Sequence, residues 1–121
     1  MHELAIAEAV VEIVLAHARG RRVTRIDVLV GHLRQVVPSA LSFGVELVAR
    51  GTDAEGAELA MIPVAAAGRC RDCGVAGPLA EFPFACAACG SLAVEVTAGE
   101  ELRVDSIEVE EPEPDPKEVR Q

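Results

Sequence analysis

A chain of 121 residues has room for one average domain, or for one small domain carrying a smaller metal-stapled one, and excludes a multi-domain enzyme. Half of its residues are apolar, yet three Phe are the only aromatics, so any core is built from small aliphatic side chains and benefits from a structural metal or a partner. Eleven basic against twenty acidic residues give a net charge of -9, which works against binding nucleic-acid phosphates, and no stretch approaches the ~18 uninterrupted apolar residues of a membrane span.

The chain opens with His2, Glu3, Glu8 and Glu12 where a secretory signal needs a basic start and an unbroken apolar run. The expected setting is therefore cytoplasmic and reducing, where paired cysteines serve as metal ligands rather than as disulfides. From Leu4 to Ala18 the pattern is helical, with Ile6, Ala9, Val10, Ile13, Val14 and His17 recurring at three and four. Gly20 closes this helix, and Glu3 and Glu8 suit its positive end. The arginines that follow, Arg19, Arg21, Arg22 and Arg25, read as a solvated loop.

Val23 to Val30 switches to strand periodicity, with Ile26, Val28 and Val30 on one face and Arg25 and Asp27 on the other. Pro38 starts a second helix, since a proline in the first turn sacrifices no helical hydrogen bond. Its apolar stripe is Leu41, Val45 and Val48, widened by Phe43 and Leu47, and Gly51 ends it. Glu58 to Val64 is a second strand with Leu59, Met61 and Pro63 on one side, and the proline, lacking a donor, puts it at an edge. Leu102 to Val109 is a third strand whose parity slips between Leu102/Val104 and Ile107/Val109, so a bulge is expected near Asp105 and Ser106.

Residues 67–97 hold all four cysteines with little periodicity and read as an inserted zinc-binding module. Residues 1–66 and 98–109 then form a discontinuous α+β domain, two helices against a small three-stranded mixed sheet with an inserted zinc-ribbon-like module. Residues 110–121, with Pro112, Pro114 and Pro116 among acids, read as a flexible tail.

Cys70-Arg71-Asp72-Cys73-Gly74 and Cys86-Ala87-Ala88-Cys89-Gly90 are matched Cys-x-x-Cys-Gly turns. Each presents two thiolates to one ion, and together they supply the four-sulfur coordination usual for structural Zn(II). Iron in rubredoxin-like geometry uses the same ligands. With every position filled by protein there is no open site for substrate, and no nucleophile and base converge elsewhere, so no catalytic residue is assigned.

The histidines are His2, His17 and His32. His17 falls on the apolar side of the first helix as a core or boundary residue, and His32 is an isolated loop residue. His2 differs because the Met1 amine, the amide nitrogens of His2 and Glu3 and the His2 imidazole lie within a few bonds of each other. Such nitrogens close small chelate rings that favour square-planar Ni(II) or Cu(II). A bulky second residue also protects Met1 from removal.

Met1-His2-Glu3-Leu4, Gly31-His32-Leu33 with Val36, Pro38 through Leu41, Phe43, Glu46, Gly51-Thr52, the cysteine turns ending Cys89-Gly90-Ser91, Gly99-Glu100-Glu101-Leu102 and Ser106-Ile107-Glu108 occur in this order. In these motifs and their spacing the chain resembles the HypA/HybF family of hydrogenase nickel-incorporation proteins over residues 1–109. The resemblance implies a nickel metallochaperone, not an enzyme, with Ni(II) as transported cargo at Met1, His2 and Glu3 and structural Zn(II) at Cys70, Cys73, Cys86 and Cys89. The partners it implies are a GTP-hydrolysing nickel-insertion accessory protein, the [NiFe]-hydrogenase large subunit and, in some organisms, urease accessory proteins. The alternative is a zinc-ribbon module that binds protein or nucleic acid without nickel. It lacks a reading surface, because Arg69, Arg71, Phe82 and Phe84 are all that residues 67–97 offer it.

Overall fold

The computed structural model describes residues 2–80 and 82–110. Met1, Glu81 and residues 111–121, and with them nearly all of the expected tail, lie outside the described residues. In chain order the elements are helix α1 (His2–Ala18), strand β1 (Val23–Gly31), a 3-10 turn (His32–Arg34), helix α2 (Pro38–Ala49), and strands β2 (Glu58–Val64), β3 (Ala67–Cys70), β4 (Ala76–Pro78), β5 (Val94–Ala98) and β6 (Leu102–Val109).

The larger sheet has the order β2-β1-β6. β1 and β2 are parallel, in a register that sets Ile26 beside Leu59 and Val28 beside Met61. A parallel pair needs a crossover, and α2 supplies it. β6 returns antiparallel to β1, pairing Asp27 with Ser106 and Val28 with Val104. The register slips there and leaves Asp105 unpaired, the bulge that the change of parity requires. It lets both Val104 and Ile107 pack into the core under the helices.

Both helices cover one face of this sheet, and the core between them is Ala7, Val10, Val11, Val14 and Ala18 of α1, Leu41, Val45 and Ala49 of α2 and Val23, Ile26 and Val28 of β1. The buried face of α1 differs from the expected stripe: Ala9, Ile13 and His17 look outward. The reason is helix spacing. A Cβ on Gly44 of α2 would stand 3.1 Å from the Cβ of Ala7, so the helices meet on their smallest residues and larger apolar ones are turned aside. Phe43 and Leu47, expected to widen the α2 stripe, are exposed instead. His17, expected at the core boundary, instead places its ring Nδ1 2.9 Å from the carbonyl of Ile13 on the helix surface.

The cysteine-bearing segment forms a sheet of its own, β4-β3-β5, antiparallel throughout. Its strands are short: β3 and β4 are runs of small residues with Arg69, Cys70 and Pro78 and no alternation, whereas β5, Val94-Glu95-Val96-Thr97-Ala98, does alternate. Apolar support is meagre, since Phe82 is 85% and Leu92 71% exposed.

The two sheets join where β1 ends. A Cβ on Gly31 would overlap the carbonyl of Gly99, and one on Gly99 would stand 2.7 Å from the Ala66 Cα. The Gly31 N–H donates to the Glu101 carbonyl at 2.6 Å and the Leu33 N–H to the Gly99 carbonyl at 2.8 Å. Arg34 Nε donates to the Glu100 carbonyl at 2.7 Å. The 3-10 turn is thereby fastened to the segment that leads back from the cysteine module.

Candidate metal centres

β3 delivers Cys70 at its end, and a tight turn returns the chain so that the Gly74 N–H donates to the Cys70 carbonyl at 2.9 Å. In the second turn the Gly90 N–H donates to the Cys86 carbonyl at 2.8 Å. Both glycines have positive φ, +79° and +76°, the left-handed backbone that folds each turn over its own first sulfur. The Cys73 N–H then points at Cys70 Sγ and the Cys89 N–H at Cys86 Sγ, each at 3.4 Å.

Between the turns, Cys70 Sγ lies 3.6 Å from Cys89 Sγ and Cys73 Sγ lies 3.5 Å from Cys86 Sγ. All four sulfurs fall within 4.8 Å of one another. Disulfide sulfurs are about 2.05 Å apart, so these are separate thiols. Tetrahedral zinc with Zn–S near ~2.3 Å requires sulfurs roughly 3.8 Å apart, and the cluster fits that spacing.

The electrostatics agree. Amide donors from Cys89 and Ala88 lower the Cys86 thiol to about 6, and the Cys73 amide is the main cause of a lowered Cys70. Cys89 has the Ser91 amide at its sulfur, yet its neighbour Cys70 pushes it up to about 12. The amides favour thiolates while the sulfurs oppose one another's ionisation, a conflict that a divalent cation at their centre removes.

His2 and Glu3 occupy the first turn of α1. Glu3 is buried although charged, at 8% exposure, and its Oε2 accepts the Val37 N–H at 3.1 Å. That bond, with one from its own amide, lowers its carboxyl to about 2. His2 is exposed, with Nε2 3.4 Å from Glu3 Oε2. Met1 lies outside the described residues, and His32 is exposed on the 3-10 turn.

Two partnerships escape the sequence. Val37 precedes a proline and is extended, with φ -81° and ψ 111°, so its N–H is left outside any ladder and needs an acceptor. Its position before Pro38 is the available signal, but not that Glu3 answers it. Asp72 and Ser91, which bond to each other across the cysteine turns, carry no sequence signal.

A family model described as hydrogenase/urease nickel incorporation, metallochaperone, matches residues 1–109. The chain belongs to the HypA family. It is 46% identical over 110 residues to the hydrogenase maturation factor HypA of Geotalea uraniireducens, covering 91% of this chain and all of that one. Over the same length it is 44% identical to the HypA of Geobacter sulfurreducens, with the same coverage. Among solved structures, the nickel metallochaperone HypA of Helicobacter pylori superposes with a TM-score of 0.67 at 20% identity, covering 88% of this chain and 96% of that one. A further HypA solution structure gives 0.69 at 24% identity, covering 90% and 96%. At those identities the superpositions establish the HypA fold. The HypA family is one of metallochaperones, which carry metal and do not catalyse a reaction. No helix among the described residues is long and apolar enough to cross a membrane.

Proposed function

We propose that this chain carries Ni(II) for insertion into [NiFe]-hydrogenase, holding the cargo at Met1, His2 and Glu3 while structural Zn(II) is held by Cys70, Cys73, Cys86 and Cys89. The observation that carries the reading is the contact between His2 Nε2 and the Glu3 carboxylate. It occupies one ring nitrogen and leaves Nδ1, the nitrogen able to close a small chelate ring with the His2 amide. A carboxylate beside the far nitrogen of a ligating imidazole favours one ring orientation. Glu3 is itself held by Val37, so the imidazole sits on an anchored support. The amide nitrogens of His2 and Glu3 lie within a few bonds of that imidazole and complete a nitrogen set suited to square-planar Ni(II).

When bound, zinc supplies a fixed crosslink between the two cysteine turns. The cysteines hold it, the turn glycines shape the cradle, and the closed four-sulfur set keeps it apart from the cargo. The partners we propose are a GTP-hydrolysing nickel-insertion accessory protein and the hydrogenase large subunit, with urease accessory proteins as further recipients. A cytoplasmic location is supported by four unpaired thiols, which need a reducing setting. No nucleic acid is proposed as a partner, in keeping with the net charge of -9.

Calorimetry with Ni(II) on zinc-loaded protein bearing its native amino terminus tests the reading. Wild type should bind, His2→Ala should lose tight uptake while keeping its zinc, and an amino-terminal extension should weaken binding. Unchanged affinity and stoichiometry in His2→Ala would overturn the nickel site.

A further inference from the structure

The two cysteine turns are joined by more than their sulfurs. Arg71 and Asp72, the residues between Cys70 and Cys73, both reach across to the chain leaving the second turn. The Arg71 N–H donates to the Ala93 carbonyl at 2.8 Å and its guanidinium pairs with Glu95 at 3.2 Å. The Asp72 carboxylate accepts the hydroxyl of Ser91.

Ser91 is anchored in the second turn. Its carbonyl accepts the Cys86 N–H at 2.8 Å, and its Oγ accepts the Ala93 N–H at 3.0 Å. Asp72 lies between Cys70 and Cys73, and Ser91 follows Cys89 by two residues. The side-chain bond therefore ties together the two turns that carry Cys70 and Cys89, whose sulfurs face one another at 3.6 Å.

We propose that Asp72 is a positioning residue of the four-cysteine centre, acting through Ser91 to hold Cys89 against Cys70 and thereby setting how fast the metal leaves. A closed four-sulfur site has no vacancy for a competing ligand, so exchange begins when one sulfur swings away. Cys70 is buried while Cys73 and Cys89 are exposed, and of the two exposed sulfurs Cys89 is the one whose turn is tied down by Ser91. Movement of the turn that carries Cys89 away from Cys70 strains the bond between Ser91 and Asp72. A hydrogen bond to a carboxylate is among the stronger ones available, and here it opposes that first motion without touching the metal. The inference rests on the zinc reading of the cysteines.

The test follows zinc release from the full zinc-loaded chain into an excess of a chromogenic chelator, with zinc content per chain measured on the same samples. Asp72→Ala and Ser91→Ala should each speed release about tenfold, the scale of one charge-assisted hydrogen bond, and the double variant should be no faster than the faster single one. Ser91→Thr, which keeps the hydroxyl, should release zinc near the wild-type rate even if an alanine variant folds poorly, and Asp72→Asn, which keeps an acceptor without its charge, should fall between wild type and Asp72→Ala. With Co(II) in place of zinc, the thiolate charge-transfer bands should match wild type in every variant, because no ligand has been removed. Release within twofold of wild type in both alanine variants, accelerations that multiply in the double variant, or loss of a thiolate band in Asp72→Ala would each overturn the proposal. Wild-type protein that takes up no zinc would instead refute the assignment of the centre.

Discussion

The Glu3 carboxylate and the Val37 N–H meet at 3.1 Å, joining the first turn of α1 to the residue that precedes α2. The bond is local in space but spans two elements. It ties the proposed nickel-binding end of the chain to the loop that also carries the 3-10 turn, and that turn is bonded to the segment leaving the cysteine module.

This contact makes acid stability depend on Glu3. Its carboxyl is lowered to about 2 from an ordinary value of 4.5. The folded state therefore binds this proton less readily than the unfolded chain, and the resulting stabilisation is present above about 4.5 and lost as the pH falls toward about 2. Glu3→Gln should flatten that part of the acid unfolding curve, read by far-UV circular dichroism on protein without nickel. A variant whose acid limb superimposes on wild type would show that the bond contributes nothing.

The cysteine module should fold only with its metal. Phe82 and Leu92 lie largely in solvent, so hydrophobic burial is too small to order the segment, whereas structural zinc contributes ~10 kcal/mol or more. Cys86→Ser is expected to lose zinc and amide protection from β3 to β5 while α1, α2 and the larger sheet remain folded. Hydrogen exchange with zinc analysis checks both halves of that expectation.

Gly31→Ala should destabilise the junction between the sheets. The added methyl would overlap the Gly99 carbonyl, where the neighbours are backbone and cannot rotate aside. Strain of about 1–3 kcal/mol follows from overpacking of this kind, with a lower thermal midpoint and faster exchange at the amides of Gly31 and Leu33. An unchanged midpoint would mean that the junction gives way freely.

Much of this architecture is legible in the sequence because periodicity reports burial. The alternation from Ile26 to Val30 marks the central strand, and the slip between Val104 and Ile107 locates a bulge that the pairing places at Asp105. The cysteine turns are legible for a different reason: ligand spacing is a chemical requirement and needs no packing context. The orientation of α1 is hidden because it depends on Ala7 meeting Gly44, a contact between residues with almost no hydropathy signal of their own. The second sheet is hidden because Ala, Gly and Pro dominate β3 and β4. At the amino terminus the donors can be read, while the burial of Glu3 cannot, since it answers a donor on Val37 far along the chain.

The buried position of Glu3 changes what its substitution should do to nickel. By sequence, Glu3 contributes to the cargo site through its amide nitrogen, and then Glu3→Gln should retain more binding than His2→Ala unless the carboxylate orients the imidazole or meets the partner protein. In the structure its carboxylate lies 3.4 Å from His2 Nε2 and is itself anchored, so it orients the ring. Removing that charge should weaken Ni(II) binding several-fold without abolishing it, because the nitrogen donors remain. His2→Ala, which deletes a donor, should abolish tight binding. Protons compete with the metal for these nitrogens, so affinity should fall as the pH drops from neutral into the mildly acid range. Because Glu3 keeps its negative charge throughout it, the pH slope should be the same in wild type and Glu3→Gln, with only the absolute affinity displaced. Titrations of both proteins at several pH values distinguish the roles: parallel curves identify an orienting carboxylate, coincident curves leave Glu3 with its amide alone, and loss of binding in Glu3→Gln would make the carboxylate a ligand.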